Sequence, residues 1–336
     1  AAHRALDRWG AGSGASRLVT GSRPGHRQLE EVLAAWKGTD RAVLFPTGFA
    51  ANLGVLGAFA RRGVRICSDE LNHASIIDGA RLSRAEIAVY RHGDVEHLES
   101  LLVSATDPTI VVTDVVFSMD GDLAPVADIA EVCRRHRSLL VLDEAHSVLG
   151  PDLGPSLEGL EVLRVGTLSK TLGSLGGFVA GRRGFVDLLE NRARPYVFTT
   201  APTPADTAAA LAALEIFRSP EGADLRARLA GYVGTVSPGH PSPIVPVVLG
   251  SDQRAVAASK AMLDRGVWVP AIRPPTVPAG TARLRVTVSA AHTPEQVDLL
   301  VAALAELASG VHDRDGEPSD RERMAVPVVG ASRRAP

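Results

Sequence analysis

The stretch LVLDEAHSV, residues 140–148, places a run of branched apolar residues directly before a group of polar ones. Such a run predicts a buried strand that ends at Asp143 and opens into a loop carrying His146. Comparable runs occur at TIVVTDVVF (109–117) and LRVGT (163–167). A helical pattern, PVADIAEVCRRHR, lies between TIVVTDVVF and LVLDEAHSV. This alternation predicts an α/β fold with a mostly parallel sheet that helices cover on both faces.

Beyond an alanine-rich helical segment the pattern changes to a smaller α/β unit with a final helix from Pro294. Its strand patterns are IVPVVLG (244–250), VWVPAI (267–272) and RLRVTVS (283–289). The sequence therefore predicts four parts, which are an N-terminal segment (1–25) expected to lack upstream residues, a large domain (26–220), a small C-terminal α/β domain (221–308) and a disordered tail (309–336).

Composition excludes several classes of function. The 336 residues carry a formal net charge of −2 with no basic stripe, which disfavours a nucleic-acid partner. Two cysteines, Cys67 and Cys133, are too few for a disulfide framework or a zinc cluster, so we expect no metal and a cytoplasmic location. The longest uncharged run, 44–60, contains Pro46 and several glycines and predicts a turn and a buried helix, without a membrane partner.

The letters DEAH at 143–146 also occur in helicase-type ATPases, where an acidic pair holds Mg²⁺. Such an enzyme needs an upstream loop of the form GxxxxGK[ST], whose backbone N–H groups and lysine bind the phosphates. The nearest match, GTLSKT at 166–171, has Ser169 in place of the second glycine and lies downstream. The ATPase interpretation is therefore disfavoured.

Asp143 and Lys170 together suggest a different cofactor. Lys170 follows the strand pattern LRVGT and precedes a glycine-rich segment, where an amine can be held dry enough to form a Schiff base. An aspartate at a strand end can pair with a protonated pyridine nitrogen. Taken singly, Lys170 is better explained as a surface lysine and Asp143 as a strand-end cap. Their combination with the motifs described next indicates pyridoxal 5'-phosphate.

The ordered motifs of the chain resemble those of the α-oxoamine synthases, which join an amino acid to an acyl thioester with loss of CO₂. The resemblance implies a fold-type-I pyridoxal phosphate-dependent transferase. Segment 271–293 is similar to the branch of the family that uses L-alanine and pimeloyl-CoA, or a pimeloyl-carrier protein, in biotin biosynthesis. The motifs are GSGASRLVTG (12–21), FPTGFAAN (45–52), LNHASIIDGARLS (71–83), VFSMDGDLAPV (116–126), LDEAH (142–146) and GTLSKTLGSLGG (166–177).

The resemblance assigns catalytic roles to Lys170, Asp143, His146 and His73, and a cofactor contact to Ser118. Lys170 would bind the cofactor and remove the Cα proton of the amino acid, and Asp143 would keep the pyridine nitrogen charged. His146 and Ser118 would hydrogen-bond the phenolic oxygen of the cofactor. His73 would stack on the ring. From the residues alone, Ser118 is nearly as well explained as a turn cap and His73 better explained as a helix-entry residue.

Residue physics supports phosphate binding best at TGFAAN, where Gly48 lies at the start of a predicted helix whose free N–H groups attract anions. Gly48 and Phe49 would donate backbone hydrogen bonds. By the resemblance, Thr167 would add a hydroxyl, and Thr199 would reach the phosphate of a neighbouring subunit. This last role implies a homodimer with shared active sites.

Two arginines compete for the carboxylate of the amino acid. Arg283 and Arg285 alternate on one predicted strand and should share a face, so the pattern does not choose between them. The resemblance implies Arg285, with Thr276 and Arg273 as contacts of the acyl substrate.

The family also carries an asparagine and an arginine upstream of residue 1. The alternatives to an enzyme that joins L-alanine to a pimeloyl thioester are another α-oxoamine synthase, such as glycine C-acetyltransferase, and a truncated inactive homologue.

Overall fold

Residues 1–310 are described in this computed structural model. The chain divides into a first unit, residues 1–117 with 123–222, and a second unit, residues 118–122 with those from 223 on. The predicted tail lies outside the described residues from 311 onward, and residues 309 and 310 still belong to a helix.

The first unit alternates helices and strands, as the sequence predicts. Its elements are α1 (Ala2–Trp9), a π-helix (Arg17–Gly21), α2 (Pro24–Lys37), β1 (Arg41–Phe45), α3 (Gly48–Phe59), β2 (Arg65–Asp69), α4 (Ala74–Ser83), β3 (Glu86–Tyr90), α5 (Val95–Val103), β4 (Thr109–Asp114), α6 (Val126–His136), β5 (Leu139–Asp143), α7 (Gly154–Leu157), β6 (Val162–Thr167), β7 (Gly177–Gly181), α8 (Arg183–Arg192), α9 (Arg194–Val197) and α10 (Pro204–Phe217).

These strands form one seven-stranded sheet in the order β1-β7-β6-β5-β4-β2-β3. Every strand runs in the same direction except β7, which pairs antiparallel with β1 and β6. The prediction of a mostly parallel sheet is therefore confirmed. Register aligns Asp114 of β4 with Asp143 of β5, so that both strands deliver a carboxylate at the same edge.

Both faces of the sheet are buried, as strand β1 illustrates. Val43 and Phe45 belong to an apolar cluster that includes Val55 of α3, whereas Ala42 and Leu44 pack on the other face. That other face contains Leu29 and Leu33 of α2, which the helical spacing of HRQLEEVLAAWK (26–37) sets on one side of the helix. None of the helices in the described part of the chain is long and apolar enough to cross a bilayer.

The second unit contains a small antiparallel sheet in the order β8-β10-β9. Its elements are most of α11 (Pro220–Val236), then β8 (Ile244–Gly250), α12 (Asp252–Asp264), β9 (Ala271–Ile272), β10 (Ala282–Thr287) and α13 (Pro294–Gly310). Only the last two residues of the predicted strand VWVPAI pair. Gly266 has φ +78° and Pro270 cannot donate to a ladder, so Trp268 remains outside the sheet with 78% of its surface exposed.

Residues 118–122 also belong to the second unit, which the sequence did not predict. Asp120 forms an ion pair with buried Arg283 of β10. Gly121 has φ +70°, and a Cβ on it would lie 1.9 Å from the carbonyl oxygen of Ile244. Only glycine fits there, because both the backbone conformation and the close approach exclude a side chain.

Glu144, the second acidic residue of the DEAH letters, lies in a buried ion network. Its Oε2 lies 2.5 Å from Lys37 Nζ, and its carboxylate also pairs with Arg164. Burial alone would raise the pKa of Glu144, but the attraction of Lys37 and Arg164 outweighs burial and lowers it. The carboxylate of Glu144 therefore pairs with two buried side chains, whereas the ATPase interpretation requires it to bind Mg²⁺.

Replacing Glu144 by Ala should destabilise the first unit, because Lys37 and Arg164 would remain buried without their carboxylate. We expect the free energy of unfolding to fall by about 3–5 kcal/mol, measured by chemical denaturation. The matched control is Asp264→Ala, which removes an exposed pair with Lys260 and should cost less than about 0.5 kcal/mol. Equal losses in the two variants would contradict the assigned role of the network.

Candidate active site

The candidate site lies in the first unit, at the edge where the parallel strands end. In open α/β sheets this edge is where ligands bind, since the loops after the strands converge there. The residues that directly end or follow a strand at this edge are Thr47 after β1, Asp69 and His73 after β2, Asp114 at the end of β4, Asp143 and His146 after β5, and Thr167 and Lys170 after β6.

Lys170 and His146 are in direct contact. The Nζ atom of Lys170 lies 2.8 Å from Nε2 of His146, which joins the loop after β6 to the loop after β5. The amine side chain is exposed in the single chain, so it is open to a ligand. A tight loop holds the lysine in place, because Gly173 N donates to its carbonyl and Ser174 N donates to Leu168 O.

Asp143 is buried and held at both oxygens. Oδ1 accepts from Ala145 N at 2.9 Å, and Oδ2 accepts from Asn52 Nδ2 at 2.7 Å. An ionised carboxylate has about four lone-pair directions, so two remain for a further donor. This geometry suits a carboxylate that receives an N–H group from a bound heterocycle.

His73 has the helix-entry role that the sequence alone favours for it. It caps α4 by accepting from Ser75 N, and its Nδ1 also lies 2.8 Å from Ser75 Oγ. Partial burial lowers the pKa of His73, the charge of Asp143 opposes that shift, and the charge of Lys170 adds to it. The ring is therefore a neutral imidazole near pH 7. The side chain of Phe49 meets it edge-on, with ring centroids 6.4 Å apart.

The amino end of α3 has the properties of an anion site. Thr47 caps the helix by accepting from Ala50 N, which leaves the N–H groups of Gly48 and Phe49 without an acceptor among residues 1–310. Thr167 lies beside this end, since a Cβ on Gly48 would be 3.3 Å from the Thr167 Cβ. Its hydroxyl accepts from Ser169 N and lies within hydrogen-bond distance of Gly176 O and Ser169 Oγ.

Sequence reasoning missed three buried polar residues at this site. Asn52 and Ser75 hydrogen-bond each other, and Asp114 accepts from His73 N at 2.8 Å. Burial and the neighbouring charge of Asp143 raise the pKa of Asp114 well above its usual value. A signal for Asp114 was present, because it ends the apolar run TIVVTD in the same way that Asp143 ends LLVLD.

In the second unit, the two candidate arginines differ. Arg283 is engaged with Asp120, whereas Arg285 donates to Ser118 O at 2.5 Å and to Thr287 Oγ1 at 3.0 Å. Arg285 has no carboxylate partner among the described residues, and burial lowers its pKa. It is therefore the arginine whose charge is still available to an anionic ligand.

The remaining predicted residues lie outside the cluster around Lys170. Arg273 and Thr276 are exposed in a turn after β9, where Thr276 N donates to Arg273 O, and this turn and Ser118 belong to the second unit. Thr199 is half-buried in the first unit, just after α9. Within the described part of the chain no hydrogen bond joins it to the cluster.

Comparison with known proteins defines the class. Residues 1–304 match the family of class I and II aminotransferases. A protein of Anaeromyxobacter dehalogenans strain 2CP-1, named 8-amino-7-oxononanoate synthase, is 51% identical over 325 residues, which cover 91% of this chain and 81% of that protein. A protein of the same name from Methylococcus capsulatus is 49% identical over 322 residues, with coverage of 90% and 83%.

Solved structures agree with this class. Serine palmitoyltransferase from S. paucimobilis, with a bound PLP–myriocin aldimine, has a TM-score of 0.87 at 32% identity and covers 92% of this chain and 83% of its own. The 8-amino-7-oxononanoate synthase from Francisella tularensis has a TM-score of 0.75 at 25% identity, with coverage of 92% and 91%. The chain belongs to the class I and II aminotransferase family, with the fold-type-I architecture of pyridoxal phosphate-dependent transferases. Its predicted kinship with the α-oxoamine synthases is confirmed.

Gly177 offers a test of the anion site at α3. A Cβ on this residue would lie 2.5 Å from Gly48 N and from the Thr47 carbonyl carbon, so Gly177→Ala must displace the backbone that forms the site. Overpacking of this kind costs about 1–3 kcal/mol. We therefore expect the affinity for pyridoxal phosphate to fall by about tenfold or more, as measured by absorbance titration of the apoprotein.

The control is Gly184→Ala in α8, where a Cβ would meet nothing within 4 Å. This variant should bind pyridoxal phosphate like the parent protein. Unchanged affinity in Gly177→Ala would show that the cofactor does not use the amino end of α3.

Proposed function

We propose that the chain is a pyridoxal phosphate-dependent acyltransferase that condenses L-alanine with a pimeloyl thioester. The products are 8-amino-7-oxononanoate, CO₂ and the free thiol of CoA or of a carrier protein, a step of biotin biosynthesis. The observation that carries the proposal is the close contact of Lys170 and His146 beside buried Asp143 and the open amino end of α3, in a chain about half identical to synthases of that name.

The residues at the site fit pyridoxal phosphate. Lys170 would provide the amine that binds the aldehyde, and Asp143 has lone pairs left for the pyridine N–H. The N–H groups of Gly48 and Phe49, which have no acceptor within residues 1–310, would bind the phosphate. When bound, this cofactor stabilises negative charge at the Cα of an amino acid. His146 and Ser118 are proposed to hydrogen-bond its phenolic oxygen.

Lys170 is proposed to act as the base toward the amino acid substrate. Its Nζ then takes the Cα proton, and Nε2 of His146, 2.8 Å away, orients the amine by a hydrogen bond. His73 adds a neutral ring, because its lowered pKa leaves it unprotonated near neutral pH. A neutral imidazole can stack on an aromatic cofactor without adding a positive charge beside Lys170.

Arg285 is proposed to bind the carboxylate of L-alanine. A guanidinium offers charge and a planar set of donors that match a carboxylate, and Arg285 has no competing acidic partner among the described residues. The proposed contacts of the acyl substrate are Arg273 and Thr276, whose side chains are exposed.

A homodimer with shared active sites is proposed from the surface beside Thr199. The neighbouring Phe198 is 72% exposed in the single chain, so its apolar ring is accessible to a second copy. A second copy that covers this surface would bring Thr199 to the phosphate of its partner. We also propose a cytoplasmic location, consistent with two buried cysteines that are not in a disulfide.

Product analysis with purified protein tests the proposed reaction. Pyridoxal phosphate-loaded enzyme given L-alanine and pimeloyl-CoA should release CO₂ and 8-amino-7-oxononanoate, whereas Lys170→Ala should bind the cofactor without turnover because it lacks the base. Glycine with acetyl-CoA and L-serine with palmitoyl-CoA are the competing pairs. Faster turnover of either pair would identify that pair as the substrates in place of L-alanine and pimeloyl-CoA. Product formation by Lys170→Ala would overturn the proposed role of Lys170.

Steady-state kinetics tests the assignment of Arg285. Arg285→Gln should raise the KM for L-alanine by about tenfold to a hundredfold, since a charge-assisted hydrogen bond contributes about 1.5–3 kcal/mol. Arg273→Gln is the matched control and should raise the KM for pimeloyl-CoA instead. An unchanged KM for L-alanine in Arg285→Gln would exclude Arg285 as the carboxylate partner.

A further inference from the structure

Asn52 is a buried amide in α3 that bonds Asp143 directly. Its Nδ2 donates to Asp143 Oδ2 at 2.7 Å and to Ser75 Oγ at 2.9 Å, and the residue is 1% exposed. Both hydrogens of Nδ2 are therefore used. Its Oδ1 has no hydrogen-bond partner in the part of the chain that the structure describes.

The acceptors fix the orientation of this amide. An ionised carboxylate can only accept hydrogen bonds, so exchanging the nitrogen and oxygen of Asn52 would set Oδ1 against Asp143 Oδ2. Leaving a buried amide oxygen unpaired is unfavourable. Among the described residues the Oδ1 of Asn52 is unpaired while its two N–H groups donate to Asp143 and Ser75. These two hydrogen bonds therefore determine the orientation of the amide.

Asn52 also connects the other parts of the site. It follows Gly48 by four residues, so the two lie on the same face of α3, one turn apart. Ser75 Oγ, which accepts from Asn52, lies 2.8 Å from Nδ1 of His73. A continuous chain of hydrogen bonds thus runs from Asp143 through Asn52 and Ser75 to His73.

We propose that Asn52 is a positioning residue that fixes Asp143 and, through Ser75, His73 relative to the phosphate-binding end of α3. The inference rests on the proposed roles of Asp143 and α3 toward pyridoxal phosphate. The cofactor has a rigid ring with the phosphate arm and the pyridine nitrogen at separate points. Helix α3 carries the proposed phosphate site at its amino end and, through Asn52, holds Asp143, the proposed partner of the pyridine nitrogen. It therefore keeps these two cofactor contacts at a fixed separation.

The pH titration of the visible absorbance of the bound cofactor reports on this positioning. A positive charge on the ring nitrogen favours loss of a proton from the cofactor–Lys170 linkage. If Asn52→Ala weakens the hold of Asp143 on that nitrogen, the midpoint should move upward, by roughly one pH unit for a tenfold effect. Besides Asp143 itself, the titratable groups around the ring contacts are Asp114, His73, His146 and Lys170.

The dissociation constant of pyridoxal phosphate, measured by dialysis, should rise about tenfold in Asn52→Ala, as expected for loss of a hydrogen bond to a charged group. Asn52→Leu keeps roughly the volume of the side chain and removes both the donor and the acceptor, and it should show the same two changes. This isosteric variant carries the test if the Ala variant does not fold.

Asn72→Ala is the matched control. Asn72 is 5% exposed, donates to Ser68 Oγ and Val112 O, and accepts from Asp114 N at 2.8 Å, and among residues 1–310 it has no hydrogen bond to Asp143. It should lose stability without a shift of the absorbance midpoint. An equal shift in Asn52→Ala and Asn72→Ala would overturn the proposal, because the effect would then be a general consequence of disturbing the core.

A double-mutant cycle separates this inference from the function on which it rests. If Asn52 acts through Asp143, adding Asn52→Ala to Asp143→Ala should change the dissociation constant by less than about twofold. A shift in Asp143→Ala with none in Asn52→Ala would overturn the role of Asn52 alone. No shift in Asp143→Ala would overturn the proposed role of Asp143, and the inference with it.

Discussion

Parallel pairing of β4, β5 and β6 is the constraint on which the candidate site depends. Parallel strands must end at the same edge, so residues far apart in sequence meet there without any long-range motif. Register sets Asp114 beside Asp143. The loop after β6 then carries Lys170 to within 2.8 Å of His146 on the loop after β5. A slip of one residue in this register would turn the Asp143 side chain to the other face of the sheet.

Neighbouring residues 143 and 144 show how the same edge serves stability and chemistry. Asp143 closes strand β5 and is held by neutral N–H donors, with two lone pairs left for a ligand. Glu144 faces the opposite side, where Lys37 and Arg164 satisfy its charge. Because successive residues of an extended chain point to opposite faces, one acidic pair can supply a ligand contact and a buried ion network.

How far the sequence could predict this protein depends on the range of each interaction. Strands β4, β5 and β6 and helices α2 and α6 follow from local periodicity, and the family follows from ordered motifs. Asn52 escaped because its partner Asp143 lies 91 residues away, and no local pattern encodes that bond. The sequence left Arg283 and Arg285 equivalent on one strand face. The ion pair of Arg283 with Asp120, 163 residues away, distinguishes them. The site residues themselves stay predictions that this geometry supports.

The five residues 118–122 give the chain an interleaved connectivity. The polypeptide leaves the first unit after β4, contributes Asp120 and Gly121 to the second unit, and returns to build α6 and β5. A single cut at residue 222 therefore does not yield two complete pieces, since the C-terminal fragment would lack the partner of Arg283. The second unit is therefore encoded by two separate stretches of the gene. In fragment complementation, or in an exchange of this unit between relatives, both stretches must be transferred together.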